Sequence, residues 1–190
     1  MRARARRAIL AGAVLLASCD GGAIRGTAVE PARVLPTFQF TRADGSRIRV
    51  GERSDGPTVV FFGYTHCPDV CPTTLADWKR VKSKLGAAAA RVRFVFVSID
   101  PERDTPGMAA RYAAKFDPSF IGVSGDAATT AAIQASFMVG AAHHAMPDSS
   151  GYRVNHASHS FLVDEHGRLV AIYSYGSPWN ALAADLERAL

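Results

Sequence analysis

Cys67 and Cys71 stand in the stretch Phe61-Phe62-Gly63-Tyr64-Thr65-His66-Cys67-Pro68-Asp69-Val70-Cys71-Pro72, with three residues between them. A thiolate is the form of cysteine that attacks disulfides and binds soft metals. The spacing lets both sulfurs grip one ion. The flanking elements decide where they sit. Thr58 to Phe62 is β-branched and aromatic, which predicts a buried strand. Beyond the cysteines, Leu75, Trp78, Val81 and Leu85 recur at helical spacing over roughly 72–86. Pro72 suits a first helical position, so Cys71 is expected at the helix cap and Cys67 in the loop before it. A helix N-terminus favours thiolate over thiol.

The 190-residue chain carries a formal net charge of +5, which looks informative and is not. Arg2, Arg4, Arg6 and Arg7 precede an apolar run, Ala8 to Ala17. The remaining 18 basic residues nearly balance 17 acids. The basic excess belongs to a targeting segment and makes no case for nucleic acid. That run is shorter than the ~20 residues of a membrane span and fits a secretory signal. Leu16-Ala17-Ser18-Cys19 resembles the bacterial lipobox, which implies a signal peptide over 1–18 and lipidation of Cys19. Asp20 resembles an inner-membrane retention signal. The implied location is the bacterial inner membrane, with the domain facing the periplasm. Cys67 and Cys71 are then the one remaining pair, in a compartment where disulfides persist. A bridge closing so short a loop adds little stability, so redox or metal work explains the pair better.

Residues 19–34 are rich in Gly and small side chains and read as a flexible tether, leaving 35–190 as the domain. Phe38, Phe40, Ile48 and Val50 flank Asp44-Gly45, an N-terminal β-hairpin pattern. Val92 to Ile99 is a second buried strand. Thr105 and Pro106 open a helix to about Phe116, and a short strand follows at 120–123. Asp126 caps a helix to about Phe137. Gly140 to Asn155 reads as a polar loop. Ser158–Asp164 and Leu169–Tyr175 form a second hairpin, and Ser177-Pro178 opens the last helix. Strands alternating with helices argue an α/β fold, a central mixed sheet flanked by helices.

A strand, a cysteine pair and a helix beginning at the second cysteine is the layout of thioredoxin-like folds. The segment Gly63 to Pro72 closely resembles the Sco/SenC family. Val97 to Pro106, Val154-Asn155-His156 with Phe161-Leu162-Val163, and the Asp-Gly hairpin support that resemblance over roughly residues 35–190. Many members are held by a transmembrane helix, whereas the lipobox here implies a lipid anchor. The resemblance implies a copper metallochaperone that helps assemble the copper-A centre of a respiratory haem–copper oxidase. Its partners would be the copper-A-bearing subunit and an upstream periplasmic copper donor. The implied ligands are Cys67, Cys71 and His156. Two thiolates and an imidazole suit Cu(I), and suit Cu(II) with added ligands.

His156 stands six residues before Leu162, the spacing of the family segment, and His159 is its rival. His66 reads as a loop residue that shapes the site. His143, His144 and Met146 could make a looser copper site, though a solvated loop explains them more simply. Asp69, between the cysteines, and Asp100, at a strand end, could tune the ligands through hydrogen bonds. The alternative function is a thiol–disulfide oxidoreductase acting on the oxidase copper-site cysteines, with Cys67 and Cys71 joined as a disulfide when oxidised. A peroxidase is disfavoured, because Pro68 occupies the place where peroxiredoxins carry an activating hydroxyl. Storage or signalling lacks any added domain to carry it.

Overall fold

The computed structural model describes residues 23–145, 152–156 and 158–190; for 141–145 and 152–156 it describes the backbone path alone. In chain order the elements are β1 (Thr27–Val34), β2 (Phe38–Thr41), β3 (Arg47–Val50), β4 (Thr58–Gly63), α1 (Val70–Leu85), β5 (Arg93–Ser98), α2 (Pro106–Ala114), β6 (Ile121–Ser124), α3 (Ala127–Ser136), β7 (Ala141–Ala145), β8 (Tyr152–His156), β9 (His159–Val163), β10 (Arg168–Ser174) and α4 (Trp179–Ala189). Six strands form one sheet in the order β1-β10-β9-β4-β5-β6. β4, β5 and β6 run parallel, and β9, β10 and β1 continue the sheet antiparallel. The expected mixed sheet flanked by helices is what the chain forms.

β4 is buried along its whole length, so its side chains feed two cores in alternation. Val59 and Phe61 join the core under α1, α2 and α4. Val60 and Phe62 join the one under α3 and the β2–β3 hairpin. Trp78 of α1 anchors the first core at 1% exposure. Phe61 and Phe120 meet it edge-on at 6.1 and 5.8 Å. Its indole N–H donates to Ser160 Oγ at 3.0 Å, so burial leaves that donor satisfied. The short-range signals for the caps hold: Thr105 accepts from the Met108 N–H and Asp126 from the Thr129 N–H.

Four local expectations are corrected. α1 starts at Val70, with Asp69 as its N-cap, so Cys71 is the second helical residue rather than the cap. Proline tolerates any position of a helix's first turn, so Pro72 does not mark the start. Thr27–Val34, assigned to the tether on composition, is an edge strand paired with β10. It is half exposed; ladder hydrogen bonds rather than apolar alternation hold it. Within the stretch read as a polar loop, β7 and β8 pair as a separate two-stranded sheet, Ala141 opposite His156. The last helix is capped by Pro178, with no side-chain cap from Ser177.

Candidate functional site

The cysteine loop leaves the C-terminal end of β4 and returns as α1. Gly63 makes that departure tight. A Cβ there would lie 2.7 Å from Cys71 Sγ, 2.8 Å from Phe96 Cε2 and 3.0 Å from Phe61 Cε1. Only a hydrogen lets the Cys71 sulfur settle against the strand. The Tyr64 carbonyl accepts the Cys67 N–H at 3.2 Å, and the Asp69 carbonyl accepts the Thr73 N–H and hydroxyl at 3.2 and 2.9 Å. The Asp69 side chain makes no cap bond and is exposed.

The loop brings the two sulfurs together as unequal partners. Cys71 is fully buried, while Cys67 is half-buried and touches both cores. The two are not joined by a disulfide. The Cys71 thiol is pushed far up, first by its hydrogen bond to the Cys67 sulfur and then by burial, while a backbone hydrogen bond from Tyr64 pulls the other way. The thiolate expected at Cys71 is therefore a thiol in the metal-free fold. Desolvation and the neighbouring sulfur outweigh the helix terminus. The pair has an outer sulfur open to partners and an inner one held protonated.

Behind the loop lies a polar cluster on the turn after β5. Asp104 is fully buried. Its Oδ2 accepts the Thr65 N–H at 2.8 Å and the Ser98 hydroxyl at 2.7 Å; its Oδ1 accepts the Thr65 hydroxyl at 2.6 Å. One carboxylate thus ties the residue two before Cys67 to the end of β5. Asp100, also fully buried, accepts Arg103 Nε at 2.5 Å, and the Arg103 guanidinium lies 5.7 Å from the centre of the Tyr64 ring. Asp100 therefore acts on the loop through Arg103 and Tyr64. Tyr112 of α2 lies on Phe96 at 5.2 Å, and its buried hydroxyl has no hydrogen-bond partner among the described residues. Burial, first of all, pushes its phenol up. Thr65, Asp104 and Tyr112 do not stand out in the sequence. One signal was present: Thr105 already caps α2, so a carboxylate beside it has no local task.

The histidines divide by position. His156 ends β8, and its side chain lies outside the description. His159 opens β9. Because Ser160 lies opposite Phe61, His159 stands at the C-terminal end of β4, where the cysteine loop departs. Three residues reach at most about 10 Å, so the His156 backbone is held near that same sheet edge. The buried His159 Nδ1 has no hydrogen-bond partner among the described residues. His143 and His144 are described by backbone on β7, and Cys19 and Met146 lie outside the described residues. Among the described residues no three His, Cys, Asp or Glu side chains gather as a metal-ligand set. Two converging thiols are nonetheless the soft half of such a set, and a soft ion fits them. No described helix is long and apolar enough to cross a membrane.

A mixed sheet with a cysteine pair where a central parallel strand meets the following helix defines a thioredoxin-like thiol protein. Comparison with known proteins narrows this: the chain belongs to the SCO1/SenC family, whose model matches residues 26–190. It is 34% identical over 143 residues to a SCO2-like protein of Rickettsia conorii, covering 74% of this chain and 70% of that one. The solution structure of apo Sco1 from Thermus thermophilus superposes with a TM-score of 0.78 at 37% identity, over 88% of this chain and 98% of that one. Bradyrhizobium japonicum ScoI with copper bound gives 0.73 at 39%, over 83% and 99%.

Proposed function

We propose that this chain is a copper metallochaperone that binds one copper ion through Cys67, Cys71 and His156 and delivers it to the copper-A-bearing subunit of a haem–copper oxidase. One observation carries the reading: two cysteines not joined by a disulfide share a hydrogen bond at the β4–α1 junction of a SCO1/SenC chain. The likeness to a copper-bound ScoI supports it. Lipidation at Cys19 would hold the domain on the periplasmic face of the inner membrane, where an upstream donor loads it. Each sulfur gives its proton to water as it takes the ion, so affinity falls with acid. The test is anaerobic Cu(I) titration of the reduced full chain in detergent, beside His156→Ala and His159→Ala. One tight copper per monomer, clearly weakened in His156→Ala, is the expected result. Weakening in His159→Ala alone would move the third ligand to His159. A parent that binds no copper would end the reading.

The unequal exposure of the two sulfurs also favours a second reading, a thiol–disulfide oxidoreductase. Cys67 as thiolate would attack a partner disulfide, and Cys71, losing its proton, would displace it. The partner would leave with two thiols and this chain with a Cys67–Cys71 disulfide. His156→Ala separates the two readings, since it should cripple copper binding and spare disulfide exchange.

A further inference from the structure

His66 is placed by two groups that the copper ligands do not use. Its Nδ1 lies 3.1 Å from Thr65 Oγ1 and 3.6 Å from Asp104 Oδ1. The Thr65 hydroxyl has one proton and donates it to Asp104 Oδ1 at 2.6 Å. Both Asp104 oxygens accept, Oδ2 from the Thr65 N–H and the Ser98 hydroxyl and Oδ1 from the Thr65 hydroxyl. The 3.1 Å contact is then closed by the imidazole, with Nδ1–H donating to Thr65 Oγ1. The tautomer is assigned by this network, as it must be without visible hydrogens. It leaves Nε2 as the nitrogen with the lone pair. No described residue takes a hydrogen bond at Nε2, and the His66 side chain is 53% exposed while Asp104 is 0% exposed. An imidazole whose Nδ1–H is tied back toward a carboxylate, with Nε2 open, is the arrangement in which histidine binds metals.

The neighbouring cysteine completes the case. His66 and Cys67 leave adjacent Cα atoms, about 3.8 Å apart. Cys67 is the outer, half-buried sulfur and Cys71 the inner, fully buried one. A partner can reach the first and not the second. We propose that His66 is a transfer ligand. With Cys67 it takes copper from a donor, or offers it to an acceptor, at the domain surface, and it gives way once the ion is held on the buried sulfur. Thr65 and Asp104 are positioning residues that keep Nε2 available. The exchange swaps ligands one at a time: copper keeps its oxidation state, a donor bond breaks as each new one forms, and the thiol protons pass to water. This inference rests on the copper reading above.

The test separates rate from equilibrium. The reduced full chain in detergent is mixed anaerobically with Cu(I) bicinchoninate, and loss of the chelate colour is followed by stopped flow. Equilibrium affinity is measured by competition with the same chelator. Loading and unloading should both slow about tenfold in His66→Ala, with the dissociation constant changed less than about twofold. Added imidazole should restore the rate. Thr65→Val, which removes the hydroxyl between His66 and Asp104 and keeps the backbone tie, should slow transfer by a smaller factor at unchanged affinity. Parental rates in His66→Ala would overturn the proposal. So would a fall in affinity as large as the fall in loading rate, which would make His66 an ordinary ligand. A parent that takes no copper would instead remove the copper reading beneath it, and is recognised without any variant.

Discussion

Two buried carboxylates organise opposite parts of this molecule. Asp104 stands at the cysteine end of the sheet, and Asp185 lies in α4, where the chain enters the domain. Asp104 accepts one backbone N–H and two hydroxyls, and Asp185 two backbone N–H groups and one hydroxyl. Asp185 takes the Arg25 N–H at 2.9 and 3.1 Å, the Gly26 N–H at 3.1 Å and the Tyr173 hydroxyl at 2.5 Å. It differs in charge compensation: Arg188 pairs with it directly. Among the described residues no lysine or arginine pairs with Asp104; the imidazole of His66 lies 3.6 Å from it. A buried charge is costly unless neutralised or fully hydrogen-bonded. At Asp185 a cation cancels the charge, and the result is a clamp that fastens the N-terminal segment. At Asp104 hydrogen bonds alone hold the charge, which stays directed at the cysteine loop. The first arrangement is a fastening; the second leaves a field at the proposed copper site.

Variants can break or sharpen this contrast. The largest effect is expected for Cys71→Ser, which removes the inner of the two proposed sulfur ligands and should weaken Cu(I) binding by about 1000-fold in chelator competition. Asp185→Ala should leave copper affinity unaltered. It strands Arg188 and two N–H groups, so stability to urea should fall by about 3 kcal/mol. A copper defect in that variant would erase the distinction between the two carboxylates. Gly63→Ala places a methyl against Cys71 Sγ and Phe96 and should cost about 2 kcal/mol by overpacking, seen as a lower melting temperature. Asp104→Asn keeps the size and an acceptor and strands no cation. It should cost about 1 kcal/mol, and a loss matching that of Asp185→Asn would contradict the reading of the two charges.

The smallest effect concerns pH. Folding raises the Cys71 thiol above its unfolded value, so its contribution to stability is full below about 8.5, where an unfolded thiol ionises, and is lost as pH rises through the folded value. The reduced, metal-free protein should lose about 1 kcal/mol between pH 7.5 and 9.5. Urea midpoints beside Cys71→Ala check this, since the part owed to Cys71 disappears in that variant.

Much of the sheet was legible because its signals are local. The unbroken run at 58–62 marks a strand buried on both faces. Asp44-Gly45 marks a hairpin, and Thr105 and Asp126 cap helices by reaching amides three residues on. The cysteine pair and its place between strand and helix needed no more than that. The third ligand expected at His156 rests on family spacing, because its side chain is outside the description.

What the sequence determined by itself, then, is the class of chemistry: two soft sulfurs in one short loop of an α/β chain, behind an export signal pattern. What tertiary structure decided is how those sulfurs differ and what governs them. Cys71 became the protonated inner thiol because α1 begins at Val70 and carries it against Gly63. Asp104 acquired its role because β5 delivers it to Thr65, 39 residues away in sequence. Thr27–Val34 became a strand because β10 offers an open edge, and Asp185 holds Arg25 across 160 residues. Propensity and periodicity act over a few residues, within one turn or one pleat. Burial, charge compensation and strand edges depend on partners that only the folded chain brings together.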